Sequence, residues 1–341
     1  MQRQRVEGQV NSSTKYLGLT LAHPFIAGAS PITHDLDDVK RLEDGGVAAI
    51  VLHTLFENQM TMADAGRIHH VDSGAENIAS ILAPHAPADR YAFAAEGYME
   101  HIYRVKTSVA IPVIGSLNGV TPEAWLRAAR GMEQAGADAL ELNMCAIVAD
   151  PADSSGAIEA RIRDVTADLK SSVSIPVAVK LSPYFTGVAH LAGQLDRAAA
   201  DGLVLFNRFY QPDIDLTTMK ATPRIELSTS ADLLLRLQWI GLLHHRVRAS
   251  LALTGGVATV EDGVKAILAG AHAVQLVSAI LRNGPAFFDV MRSGLLRWME
   301  FGEFATIDEI RGRARFEDCG DAIELTRAAS LLALQSRPTI H

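Results

Sequence analysis

Eight short apolar runs alternate along this chain with longer amphipathic stretches, and that alternation constrains the fold more than any other feature. The runs are 24–30 (PFIAGAS), 48–54 (AAIVLHT), 111–117 (IPVIGSL), 139–145 (ALELNMC), 175–182 (IPVAVKLS), 202–209 (GLVLFNRF), 250–256 (SLALTGG) and 273–279 (AVQLVSA). Helical patterns fall between them, at roughly 35–44, 121–135, 157–171, 187–200, 229–246, 260–269 and 284–301. Strand then helix, repeated, is the signature of parallel βα units. The segments "LEDGGVAAIVL", "MEQAGADALEL" and "ILAGAHAVQL" each end a helix on glycine or small residues and pass directly into a strand. Glycine there accepts the left-handed conformation of a helix C-cap. Eight such units call for a closed (β/α)8 TIM barrel. An open doubly wound sheet is the competing arrangement, but the glycine fingerprint it carries after its first strand is absent. The expected organisation is a single domain over 1–341, with the barrel at about 16–301 and a helical cover over 302–341.

Two connections are too long for bare turns. Residues 55–110 hold His69, His70 and His85 and several small helices at best, and residues 210–228 follow the sixth run. Both leave strand C-termini, so both should rise over the barrel mouth, where sites of this fold lie.

Strand parity then sorts side chains. In 139–145, Leu140, Leu142 and Met144 share one face, and Glu141, Asn143 and Cys145 the other. In 175–182, Val177, Val179 and Leu181 face the helices, which turns Lys180 and Ser182 into the barrel. A lysine there requires an anion or a cofactor acceptor, because burying it alone is costly; an internal ion pair to Glu141 is one answer. At 253–263, "LTGGVATVEDG" ends a strand in Gly255-Gly256 and opens a helix near Thr259, with Asp262 in capping-box spacing. Backbone amides at such a turn come close to an anion, and the loops after the seventh and eighth strands of a barrel commonly bind phosphate. Val277 and Ser278 close the eighth strand opposite. A simple tight turn is the plainer reading of Gly255-Gly256. His53 closes the second strand, and "LFNRFYQPDID" brings amide, guanidinium, phenol and carboxylates to the end of the sixth.

Bulk properties exclude other classes. The net charge is −8 with no Lys/Arg block, which sets nucleic acid aside. No apolar run approaches the length of a membrane span, and the polar N-terminus has no signal-peptide core. Two cysteines, Cys145 and Cys319, form neither a disulfide framework nor a thiolate metal site. A cytoplasmic protein that uses no metal is expected.

The chain resembles the dihydroorotate dehydrogenase family of FMN-dependent barrel oxidoreductases over about residues 16–315. The carriers are "YLGLTLAHPFIAGASP", "ELN" at 141–143, "VKLSPYF" at 179–185, "FN" at 206–207, "TGGV" at 254–257 and "AILAGAHAVQLVSAIL" with "GPAFF" after it. The resemblance is to the soluble class. It implies that Lys180 contacts FMN and stabilises the negative charge of its reduced form. It also implies that Ser30, Ser116, Asn143 and Asn207 line the flavin and substrate, and that Gly255, Gly256, Val277 and Ser278 hold the phosphate. A small-molecule substrate, a homodimer and a separate electron-acceptor protein are further expectations. There is no ferredoxin-type cysteine cluster, so an iron–sulfur relay would sit on another chain.

The departures concern the substrate. Where the family has Asn-Leu-Ser-Cys-Pro-Asn after the fourth strand, this chain has Asn143-Met144-Cys145-Ala146-Ile147-Val148. Ala146 stands at the base position and Val148 at a substrate-binding Asn. The family's substrate loop has no counterpart, the nearest stretch being "FAAEGYME" (93–100), and its strand-two lysine matches Leu52, beside His53. The base candidates are Cys145, His53 and Tyr210, with Cys145 read as a site wall first and a displaced base second. The expectation is an oxidoreductase acting on a CH–CH group of a small metabolite other than dihydroorotate. The alternatives are a genuine dihydroorotate dehydrogenase with a displaced base, a flavin-free Schiff-base lyase using Lys180, and a catalytically inactive barrel subunit.

Overall fold

A computed structural model describes residues 10–56, 95–118, 122–144, 148–207, 211–224, 226–314, 327–328 and 330–331. Strands β3 (Phe25–Ala27), β4 (Ile50–Phe56), β5 (Val113–Asn118), β6 (Ala139–Met144), β7 (Val177–Leu181), β8 (Gly202–Leu205), β11 (Ser250–Thr254) and β12 (Ala273–Leu276) close into an all-parallel barrel in that order. These are the eight apolar runs, with most of their ends trimmed. β11 stops at Thr254 because Gly255 and Gly256 both take φ of +85°. β12 stops at Leu276, and Ser278 opens the short helix α8 (Ser278–Asn283) instead of continuing the strand.

The outer ring follows the expected helices: α1 (Leu36–Asp44), α3 (Pro122–Gln134), α4 (Ser155–Ser172), α5 (Val188–Arg197), α6 (Leu233–Leu243), α7 (Val260–Ala269) and α9 (Phe287–Phe301). The 55–110 connection corrects one expectation. It contains a full helix, α2 (Ala95–Lys106), that buries Tyr98, His101, Ile102 and Val105 at helical spacing against β4 and β5. The signal was weak because two of those four side chains carry polar atoms. His69, His70 and His85 lie outside the described residues. So does most of the expected cover over 302–341; its described start is a 3-10 turn, Ile307–Glu309, that buries Ile307 and Ile310.

Two antiparallel hairpins were not anticipated. β9 (Pro212–Asp215) pairs with β10 (Lys220–Pro223) in the loop after β8. β1 (Thr14–Tyr16) pairs with β2 (Leu19–Leu21) and closes the barrel floor. Tyr16, Leu17 and Leu21 of this floor pack with the inward Ile26, Val51, Ile114 and Val204 and with Ala49, Ala139, Ala178, Ala252 and Ala273. Alanines on four strands, and Ala49 just before β4, make room for the plug, and a Cβ at Gly202 would come within 2.5 Å of Leu17. The outward residues Leu140, Leu142, Val177, Val179 and Leu181 pack in the larger core under the helices, as parity requires. Among the described residues no helix is long and apolar enough to cross a membrane.

Candidate active site

Directly above the floor the barrel interior turns polar. Lys180 Nζ donates to Glu141 Oε1 at 3.0 Å and to Gln275 Oε1 at 3.3 Å, and Gln275 Nε2 donates to the other oxygen of Glu141. All three side chains are buried: Glu141 and Gln275 are each 1% exposed and Lys180 5%. β6, β7 and β12 thus contribute one corner each of a closed triangle. The ion pair allowed for Lys180 is present. Gln275 was not singled out in advance, although an amide at an inward position of "AVQLV" was the available signal.

Above this layer sits a ring of amides and hydroxyls at the strand ends. Asn207 Nδ2 donates to Asn143 Oδ1 at 3.0 Å, and Asn118 Nδ2 donates to the Asn143 carbonyl at 2.8 Å. Ser116 Oγ and Thr54 Oγ1 are 2.9 Å apart. Asn143 is thus bonded to Asn207 and Asn118, while Ser116 pairs separately with Thr54. Ser30 is buried at the start of the 3-10 turn Pro31–Thr33, whose Thr33 donates through N and Oγ1 to the Ser30 carbonyl. Ser182, also expected to face in, accepts from Tyr184 N at 3.0 Å.

His53 departs from simple alternation. The β4–β5 register shifts between Val51 and Thr54, so Thr54 takes the position facing Ser116. The His53 ring lies 4.8 Å from that of His34, 5.6 Å from His101 and 4.9 Å from Tyr98, in a cluster at the barrel rim. Leu52 packs in the helix-side core. Tyr98 secures the bulge: its hydroxyl donates to the His53 carbonyl at 2.7 Å and accepts from Ser116 N at 3.2 Å. A cavity of about 410 Å3 lined by His34, Asp35, Asp37, Glu100, His101 and Arg104 opens beside the cluster.

Burial, then the neighbouring His34 and His101, lowers His53 to a pKa of about 3. Burial likewise lowers His23 and His272 to about 4. All three are neutral when folded at neutral pH, whereas an unfolded chain protonates its histidines near 6.5. Their contribution to stability is therefore complete above about pH 6.5 and is lost as pH falls toward 4. The urea midpoint is expected to drop between pH 7 and pH 5, and His53→Gln should shallow that drop; equal midpoints at the two pH values would refute the assignment.

At the ends of β11 and β12 the glycine pair, Ser278 and a serine from the long loop converge. Gly256 N donates to Ser228 Oγ at 3.1 Å, and Ser228 Oγ lies 3.0 Å from Ser278 Oγ. Arg282 on α8 holds this loop through the carbonyls of Ser228 and Leu227. Gly255 packs on the Arg236 guanidinium and Gly256 on the backbone of Leu233. The capping box at Thr259 and Asp262 is formed, and Asp262 also accepts from Ser230 Oγ at 2.6 Å. Val277 precedes Ser278 at the N-cap of α8. Ser228 was missed because only the tertiary path of the 210–228 loop brings it here. Cys145 and Tyr210 lie outside the described residues, and Val148 is exposed. Among the described residues no group of three or more His, Cys, Asp or Glu side chains is arranged to hold a metal.

Known proteins match the chain over most of its length. The family model described as dihydroorotate dehydrogenase matches residues 12–299. The catalytic subunit of dihydroorotate dehydrogenase B (NAD(+)) from Methanothermobacter thermautotrophicus is 27% identical over 316 residues, covering 88% of this chain and 97% of that one. The corresponding subunit from Thermoplasma volcanium is 25% identical, covering 89% and 98%. Dihydroorotate dehydrogenase A (fumarate) from Lactobacillus delbrueckii subsp. bulgaricus is 24% identical, covering 79% and 88%.

Proposed function

Because the chain belongs to the dihydroorotate dehydrogenase family, we propose that it is an FMN-dependent oxidoreductase acting on a CH–CH group of a small metabolite other than dihydroorotate. The observation that carries the reading is the buried Lys180 ammonium at the centre of the barrel, beneath a ring of amides. The donor set fits the cofactor. Ser228 Oγ, Ser278 Oγ and the Gly256 amide form a small polar cluster suited to a phosphate, and Lys180, Asn143 and Asn207 suit the polar edge of a flavin.

Bound FMN would supply the hydride acceptor. The protein's part is placement and charge. Lys180 offers a positive charge in a dry interior, where it counts for far more than in water. Asn118 fixes the Asn143 backbone and Asn207 its side chain, so the amide is preorganised. The substrate's proton needs a second group. Cys145 and Tyr210 are candidates by sequence. His53 is neutral and able to accept, though its low pKa makes it a weak base.

Ala146 and Val148 at the positions of the family's base and substrate amide favour a substrate other than dihydroorotate. Several relatives are named as catalytic subunits of an NAD(+)-linked enzyme, which supports an electron acceptor on a separate chain. The Glu141–Lys180 pair weighs against a Schiff-base lyase, because imine formation requires a neutral amine. The visible spectrum of the purified protein is expected to show stoichiometric flavin; a colourless protein would sink the reading. Orotate formation with an artificial electron acceptor should be negligible, and robust turnover would overturn the substrate assignment alone.

A further inference from the structure

The short helix α8 reaches the loop after β8 twice. Ser278, its first residue, meets Ser228, and Arg282, one turn later, grips the same stretch. Arg282 Nη1 donates to the Ser228 carbonyl at 2.6 Å and Nη2 to the Leu227 carbonyl at 2.7 Å, so the guanidinium spans two successive peptides as a fork. A trans peptide directs its C=O and N–H to opposite sides. With the Leu227 carbonyl held by Arg282, the Ser228 N–H is turned the other way, and it donates to Ser278 Oγ at 3.0 Å. Ser228 Oγ donates to the same oxygen at 3.0 Å while accepting from Gly256 N at 3.1 Å. A serine hydroxyl has two acceptor lone pairs and one proton. Ser228 fills both lone pairs of Ser278 Oγ, so what Ser278 still offers is its proton. The end of this relay can only donate. Its fitting partner is an acceptor with no proton of its own, such as an ionised phosphate oxygen. Ser228 is 4% exposed, so the arrangement is shielded from water.

We propose that Arg282 is a positioning residue that makes this site prefer a phosphorylated flavin over the same flavin without its phosphate. It does so by holding the Leu227–Ser228 peptide, which commits the Ser278 hydroxyl to donation. The inference rests on the reading that Ser228, Ser278 and Gly256 hold the FMN phosphate. Both acceptors of the fork are carbonyls, so the guanidinium acts on the phosphate through the loop. Without the fork the peptide is free to turn, and the Ser228 N–H leaves Ser278. One lone pair of Ser278 Oγ then opens, and the hydroxyl can present it to the phosphate, where it repels. The flavin ring is assigned to Lys180, Asn143 and Asn207, so a flavin that lacks the phosphate should not sense the change.

The test is a titration of the full-length protein, stripped of flavin, with FMN and with riboflavin, followed by flavin fluorescence. The unmodified protein should bind FMN more tightly. Arg282→Met is expected to weaken FMN about tenfold, the scale of one charge-assisted hydrogen bond, and to leave riboflavin within about twofold. The S228A/S278A variant should also lose preference for FMN. Adding R282M to that pair should change the preference no further, because Arg282 acts through these two hydroxyls. A further loss in the triple variant would assign the effect to the guanidinium charge itself and overturn the inference. So would an unchanged FMN affinity in R282M, an equal loss for both flavins, or an unmodified protein that binds the two flavins equally. If R282M does not fold, Arg282→Gln carries the comparison. Its amide can reach one of the two carbonyls, so the preference should fall part-way, and an unchanged preference overturns the inference. A protein that binds neither flavin defeats the FMN reading and this inference with it. One that binds FMN but is indifferent to R282M defeats this inference alone. A side chain that only filled space would not separate the two flavins.

Discussion

Lys180→Met is expected to lose about 3–5 kcal/mol of folding stability, the usual consequence of removing one partner of a buried ion pair. The physical reason is Glu141. Its carboxylate is 1% exposed and would be left with Gln275 as its hydrogen-bond donor from the triangle. Removing both charges is far less damaging, so E141Q/K180M should regain most of the loss. Urea unfolding of the two single variants and the double variant gives the coupling directly. Additive losses would mean that the two side chains act independently, against the geometry. The same substitution should slow flavin reduction by about two to three orders of magnitude, the scale seen when one preorganised electrostatic group is removed. Rapid-mixing absorbance at the flavin band would measure it.

Gly256→Ala is expected to be nearly as damaging, for a reason separable into two parts. The residue takes φ of +85°, a conformation that costs an L-residue about 1–2 kcal/mol. A Cβ there would also lie 2.5 Å from Leu233 N and 2.7 Å from Leu233 Cα, against backbone that cannot yield cheaply. Overpacking of this kind adds about 1–3 kcal/mol. Gly46 is the natural control: its φ is +84°, and a Cβ added there meets nothing within 4 Å. Gly46→Ala should therefore show the conformational part alone. G256A should in addition weaken FMN retention, because any retreat of the backbone moves the Gly256 amide off Ser228. Equal losses in the two variants would show that close packing against α6 contributes nothing.

The barrel was legible because parallel strands covered on both faces read as continuous apolar runs, and because its helices end on small residues and glycine. Parity was enough to turn Glu141, Asn143 and Lys180 inward. Features that depend on irregular backbone were not legible. The shift between Val51 and Thr54 breaks the period of two, so Thr54, and not its neighbour His53, meets Ser116. The β9–β10 hairpin is largely exposed and polar, and carries no burial pattern to read. Ser228 reaches the strand ends only through the tertiary path of its loop. Gln275 carries a readable signal, an amide within a buried strand, among letters that otherwise spell only a strand core.

The floor hairpin constrains how the chain can be assembled in time. Tyr16, Leu17 and Leu21 precede every barrel strand in sequence, but several of the floor's hydrogen-bond partners lie far downstream. Leu17 N donates to Ser250 Oγ, 233 positions on, and Thr14 Oγ1 to the His272 carbonyl, 258 positions on. Arg311 then bonds Thr14 across 297 positions. Loop-closure entropy must be overcome before any of these contacts rewards it. A nascent chain lacking β11 and β12 cannot seat its own floor and keeps that apolar hairpin on offer to other surfaces. The floor is therefore sealed late in folding, once the strand that carries Ser250 and the residues before and after β12 are in place.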